Sequence, residues 1–252
     1  MHNADQIRIG CCCDAAQISV VSQGEYDYLE ITLSILEDGI RAGQNPAEIV
    51  EALPAPAEVL MGMFPRNMAL LGPNANRTAI MDRARFVIDL AVAANVQQLV
   101  LGAGKVRSIP DSMSREDGLR ELCAILKEVS DTAVNAGLHF SIENIAAPAS
   151  NVFNTLPEIE DIFQRFGLDS VGITFDTAQA AAANDPLEGM LKYSTHIHHV
   201  HVPVPFPNRE EALALLAKAG YQGRISVEPT GLQVDEHAHA TAAEIRSHIA
   251  GG

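Results

Sequence analysis

The chain has 252 residues, of which 47% are apolar and 19% charged, with no tryptophan. That length suits one large domain with a full core, close to the size at which (β/α)8 barrels cluster. A formal net charge of −15 repels phosphate backbones and anionic membranes, which argues against a nucleic-acid or membrane partner.

Apolar runs and helical segments alternate from end to end, with no linker, composition shift or low-complexity stretch between them. The opening segment MHNADQIRIG lacks a basic stretch followed by an apolar core, so no secretory signal is read and a cytoplasmic protein is expected. No run of about 18 uncharged apolar residues follows, and a membrane-spanning helix is not expected. Strands are predicted over residues 7–12, 26–31, 58–63, 98–101, 138–143, 170–176, 197–202 and 224–228. Such short, mainly apolar runs suit strands covered on both faces, as in parallel sheets. Cys11, Cys12 and Cys13 end the first run. With Cys123 they fit neither a C-x-x-C zinc spacing nor a disulfide framework, and they read as small buried packing residues.

Between the strands lies helix punctuation. Residues 77–95 carry Ile80, Ala84, Val87, Ile88 and Ala91 at helical spacing, a core-facing stripe. Ser114 and Asn208 each precede an acidic residue three positions on, as N-caps do. Thr155-Leu-Pro-Glu158 reads as a capping box with proline in the first turn. Gly137, Gly167 and Gly220 stand where helices should stop. Eight strand–helix units of this kind predict a parallel sheet closed into a single-domain (β/α)8 TIM barrel over residues 1–252. No G-x-G-x-x-G or G-x-x-x-x-G-K-[ST] motif supports a nucleotide-binding open sheet.

Four side chains at the ends of consecutive strands carry the chemistry: Glu143 in HFSIEN, Asp176 in VGITFD, His201 in HHVHV and Glu228 in RISVEP, separated by 25 to 33 residues. In a (β/α)8 barrel the C-terminal strand ends share one face. Three carboxylates and one imidazole gathered there form a site for one divalent metal ion. The ligand types suit Mn2+, Co2+ or Mg2+, with Zn2+ also compatible. Strand alternation places His199 and His201 on one face and His198 on the other. A metal so held leaves positions open for substrate oxygens, and two glutamates on opposite sides can pass a proton as base and acid.

Nearly the whole chain resembles the xylose isomerase-like barrels of the sugar phosphate isomerase/epimerase group, which includes ketose 3-epimerases and hydroxypyruvate isomerases. YDYLEI, MFPRNMALLGP, LVLGAGKVRSIPD, HFSIENI, NVFNT, ITFDTAQ, HVHV and YQGRISVEP carry the resemblance by their order and spacing. It implies a metal held by Glu143, Asp176, His201 and Glu228, with Glu143 and Glu228 also the acid–base pair for an enediolate-type proton transfer. It further implies a small carbohydrate-like substrate met by Arg107, Gln179, Glu30 and Asn154, and a homo-oligomer. Three positions depart from the group. Gln179 replaces a histidine, Ala149 a glutamate and Pro207 an arginine, all of which anchor substrate there. The departures leave the metal ligands intact and put a standard ketose in question. They also keep open a lyase or dehydratase acting on an oxidised sugar, inositol or glycoside, and a non-catalytic metabolite-binding barrel. An apurinic/apyrimidinic endonuclease is disfavoured, because no histidine lies between residues 3 and 138.

Overall fold

A computed structural model describes residues 7–19, 21–22, 24–204, 209–229 and 236–250. Pro207 and Asn208 lie outside them. The eight expected strands are present as β1 (Arg8–Cys13), β2 (Tyr28–Thr32), β3 (Ala57–Met61), β4 (Gln98–Leu101), β5 (His139–Glu143), β6 (Gly172–Asp176), β7 (Ile197–Val204) and β8 (Arg224–Pro229). All pair in parallel, each with its sequence neighbours, and β1 closes on β8. The fold is a single-domain (β/α)8 barrel.

The boundaries move for local reasons. The second strand starts at Tyr28 rather than Tyr26 because Asp27 is held by β1. Its backbone N–H donates to Ile9 O at 2.8 Å, and its carboxylate accepts from Ile9 N at 2.8 Å. The third ends at Met61 because the chain turns away at Gly62, whose φ of 85° favours glycine. β7 runs on to Val204 because Pro203 and Val204 still pair with Glu228 and Pro229.

The helices pack their apolar faces onto the outside of the barrel. Arg77–Ala93 buries Ile80, Ala84, Val87, Ile88 and Ala91, the stripe expected of it. Ser114 caps Arg115–Asn135 through Asp117 N. Thr155 caps Leu156–Phe166, but the box is only half formed, since the Glu158 carboxylate accepts from Asn154 N rather than from Thr155 N. Gly137, Gly167 and Gly220 all take positive φ, as helix stops require. The four cysteines are buried free thiols. No helix among the described residues is long and apolar enough to cross a membrane.

Inside the barrel, strand alternation stacks two polar tiers. In the lower tier the Tyr28 hydroxyl meets Ser226 Oγ at 2.9 Å and His199 Nε2 at 3.3 Å. Across from it, Ser141 Oγ meets Thr174 Oγ1 at 2.6 Å and accepts from Gln98 Nε2 at 3.0 Å. Two residues further along the same strands, towards their C-terminal ends, come Glu30, Glu143, Asp176, His201 and Glu228. The lower tier is thus a hydrogen-bonded floor, and the upper tier is the floor of the barrel mouth.

Gly10 of β1 makes room for the Tyr28 ring, since a Cβ there would fall closer than 3.0 Å to three ring atoms. Tyr28 is fully buried and tied to Ser226, so it has nowhere to retreat. Gly10→Ala is expected to destabilise the fold by about 1–3 kcal/mol through overpacking. A urea-unfolding midpoint equal to the wild type's would contradict this packing.

Candidate metal centre

Each ligand-type side chain is aimed by its own strand and fixed by a neighbour. Asp176 ends β6 and caps the short helix Thr177–Ala182, where Oδ1 accepts from Gln179 N at 2.7 Å. Asn144, next to Glu143, clips β5 to β6. Its Oδ1 accepts from Asp176 N at 2.7 Å, and its Nδ2 donates to Asp176 O at 3.0 Å. On β7, His201 presents Nδ1 to Glu143 Oε1 at 3.0 Å and to Glu228 Oε2 at 3.7 Å. Its other nitrogen, Nε2, faces Glu30 Oε2 at 3.1 Å. Glu143, Asp176 and His201 are buried, while the Glu228 side chain keeps 35% of its surface and forms the open side.

The protonation tendencies follow from this crowding. Burial and the facing Glu143 and Glu228 carboxylates push Asp176 well above the usual carboxylate range. Burial also raises Glu228, and Glu143 adds to the rise while His201 opposes it. For His201, burial favours the neutral ring, but Glu30 and Glu143 outweigh it and hold the imidazole protonated well above its ordinary value. Burial alone would raise Glu30, yet the His201 and His199 rings bring it down to about 2. The mouth therefore holds more negative charge than one imidazolium can neutralise.

A divalent cation fits this surplus. Glu143, Asp176, His201 and Glu228 each offer one donor atom, and those four atoms lie within 4.8 Å of one another. That spread suits a common ion at the usual 2.0–2.4 Å or so from each oxygen or nitrogen donor. Only the Nδ1 side of His201 faces this group. With Nε2–H kept on Glu30, the ring is set to offer its Nδ1 lone pair, the carboxylate–histidine arrangement common in metal sites. A second trio within the same spacing, Cys12, Glu30 and His201, lies behind it. The Cys12 thiol is pushed well above its ordinary value by burial and by Glu30, so in the metal-free protein it stays protonated.

The residues expected to meet substrate are distributed differently. Arg107 is fully buried. It donates to Leu101 O at 2.9 Å and to the Glu143 carbonyl, and its guanidinium lies 5.6 Å from the centre of the Phe153 ring. Burial lowers its pKa to about 10, so it keeps its charge. It braces the ends of β4 and β5. Glu30 is likewise fully buried and supports His201. Asn154 spends its amide on Ile145 O and Ser150 O, at 2.5 and 2.9 Å. Gln179 accepts from Ala146 N at 3.0 Å and lines a cavity of about 510 Å3 beside the cluster. Asn144 was missed, although it follows Glu143 directly in the ENI segment. So was Gly102, where any Cβ would strike Glu143 Oε2.

The sequence profile of the xylose isomerase-like TIM barrel family matches residues 26–249. No curated protein matches the chain. Among solved structures, D-allulose 3-epimerase from Methylomonas sp. is similar at a TM-score of 0.76 and 16% identity, covering 98% of each chain. The E. coli 3-keto-D-glucoside 4-epimerase YcjR is similar at 0.73 and 14%, covering 96% of this chain and 100% of its own. The IOLI protein, solved with a bound zinc atom, is similar at 0.70 and 17%, covering 96% of this chain and 97% of its own. At these identities the likeness is one of fold.

Metal uptake at this cluster must displace the proton that Glu30 and Glu143 stabilise on His201. Because that pKa is raised, the proton competes up to higher pH than on a free histidine, and affinity should rise with pH. Titration calorimetry of Mn2+ into chelator-treated protein, in buffers of different ionisation enthalpy, is expected to show at least one proton released per ion. Affinity should weaken about tenfold per pH unit on acidification. PH-independent binding without proton release would count against the ligand assignment.

Proposed function

The chain belongs to the xylose isomerase-like TIM barrel family, and from that premise we propose that it is a divalent-metal-dependent isomerase or epimerase of a small sugar or hydroxy-carbonyl compound. The observation that carries the reading is the convergence of four donors from four strands, two of them glutamates. Glu143, Asp176, His201 and Glu228 would hold Mn2+, Co2+, Mg2+ or Zn2+, and the ion would supply Lewis acidity to a substrate carbonyl.

The chain's own residues then divide the work. Glu143 sits on β5 and Glu228 on β8, on either side of the His201 strand. One carboxylate takes the proton from the carbon beside the carbonyl, and the other returns a proton to the same or the neighbouring carbon. Burial, with the Glu143 charge adding to it, raises Glu228, which moves it towards the pH at which a carboxylate both accepts and gives up a proton readily. Its exposed side gives a substrate access. Asp176 is unsuited to proton transfer, because Gln179 N fixes one oxygen and burial shuts out solvent. Structural likeness to D-allulose 3-epimerase and to a 3-keto-D-glucoside 4-epimerase supports sugar chemistry at this mouth.

A lyase or dehydratase would begin with the same proton abstraction. It draws support from the uncharged Ala149 and Gln179 on the cavity wall. An elimination product with a conjugated carbonyl absorbs in the ultraviolet, whereas epimerisation leaves the absorbance flat.

In deuterium oxide, the metal-loaded protein is expected to exchange the hydrogen beside the carbonyl of a suitable ketose or 3-keto glycoside, followed by proton NMR. Glu228→Gln should slow that exchange by about 10²–10⁴-fold, with metal content measured alongside to separate the proton role from ligation. Exchange that persists in chelator-treated protein would overturn the proposal.

A further inference from the structure

Acidic residues outnumber basic ones by 32 to 17 in this chain, and nearly every described cation is matched to a partner. Salt bridges engage ten of the arginines and Lys127. Arg107 holds backbone carbonyls, and Lys192 lies over the Tyr193 ring. Among the described side chains, Arg66, Lys105 and Lys218 alone remain without a hydrogen bond, ion pair or ring partner. Two of those three line the same cavity, and no acidic residue lines it with them.

That cavity adjoins the metal centre. Gly102 forms part of its wall and lies against Glu143 Oε2, and Gln179, another wall residue, donates its backbone N–H to Asp176 Oδ1. At about 510 Å3 it falls within the range of small-molecule sites. Three carboxylates around one dication leave the centre net negative, so a substrate anion would be repelled there unless counter-charge stood close by. In a cleft, unpaired cations focus the field on whatever enters, and guanidinium and ammonium groups are the usual partners of carboxylate and phosphate oxygens.

We propose that this cavity is the subsite for an anionic group of the substrate, a carboxylate or phosphate held by Arg66 and Lys105, so that the substrate class is an acidic or phosphorylated sugar rather than a neutral one. The assignment of the reacting carbonyl rests on the isomerase reading, but anion binding does not. Ala149 and Gln179 fit the same picture, since they place no negative charge on the wall.

The test has two arms. In the first, the Mg2+-loaded chain is titrated with sulfate, standing for a phosphate group, and with acetate, standing for a carboxylate, at constant ionic strength set by chloride. Saturable binding of at least one is expected. Arg66→Gln and Lys105→Gln should each weaken it about tenfold or more, while Lys218→Gln, the unpaired cation outside the cavity, leaves it unchanged. Both target residues are exposed, so the variants should keep the wild-type melting temperature. Binding of neither anion, or binding that the Arg66 and Lys105 variants do not alter, means solvated surface cations only and overturns the subsite.

In the second arm, deuterium exchange is compared for D-fructose, D-fructuronate and D-fructose 6-phosphate. A higher kcat/KM for an anionic member, lost in the two variants, supports the subsite and identifies the group. Preference for D-fructose with silent variants overturns it. Absence of exchange with all three, alongside intact anion binding in the first arm, counts against the isomerase reading and leaves the subsite standing.

Discussion

Like charges held close together at the barrel mouth govern this molecule. Glu143, Asp176 and Glu228 present oxygens within 4.8 Å of each other and of a single imidazole, largely shielded from water. Buried carboxylates in such numbers are costly unless protonated or matched by positive charge. Asp176 and Glu228 are accordingly driven towards the neutral acid, and His201 towards the imidazolium. A divalent cation would remove that conflict in one step, and its binding would draw on energy the metal-free fold stores in repulsion.

The scaffold accepts this cost because it holds every member in place. Asn144 ties β5 to β6, Gln179 N pins one Asp176 oxygen, and Glu30 fixes the far nitrogen of His201. Arg107 contributes from beneath the surface, spanning Leu101 and Glu143 with a charge that never reaches solvent. Glycine at 102 leaves the Glu143 carboxylate its space. The open side is then the Glu228 side, while the cavity reached past Glu143 and Asp176 is lined by two of the three cations among the described residues that are not already committed, Arg66 and Lys105. Rigidly held donors with one exposed carboxylate are what the proposed metal-dependent proton transfer would need.

Much of this was legible in the sequence because barrel strands obey simple periodicities. Runs ending in Glu143, Asp176, His201 and Glu228 announced both the strands and the side on which they converge, and alternation separated His198 from His199 and His201. The His199 and His201 rings do meet, edge to face with centres 4.9 Å apart, while His198 meets His139. Direction within loops was not legible. Arg107 follows a strand end, as a substrate contact would, but the short helix Gly104–Arg107 turns it inward towards two carbonyls. Glu30 carries a carboxylate on a barrel strand too, yet its side chain is fully buried against His199 and His201 of β7. Arg66 gave no signal of its own. Its interest comes from sharing a cavity with Lys105, far along the chain, which only the closed barrel reveals.

A crystal of the Mn2+-loaded protein, with diffraction recorded at the manganese edge, would show which side chains hold the ion and how His201 is turned towards it. One anomalous peak is expected, bound by a carboxylate oxygen from each of Glu143, Asp176 and Glu228 and by Nδ1 of His201, with Nε2 still directed at Glu30. A peak elsewhere, or His201 turned to bind through Nε2, would contradict this ligand assignment.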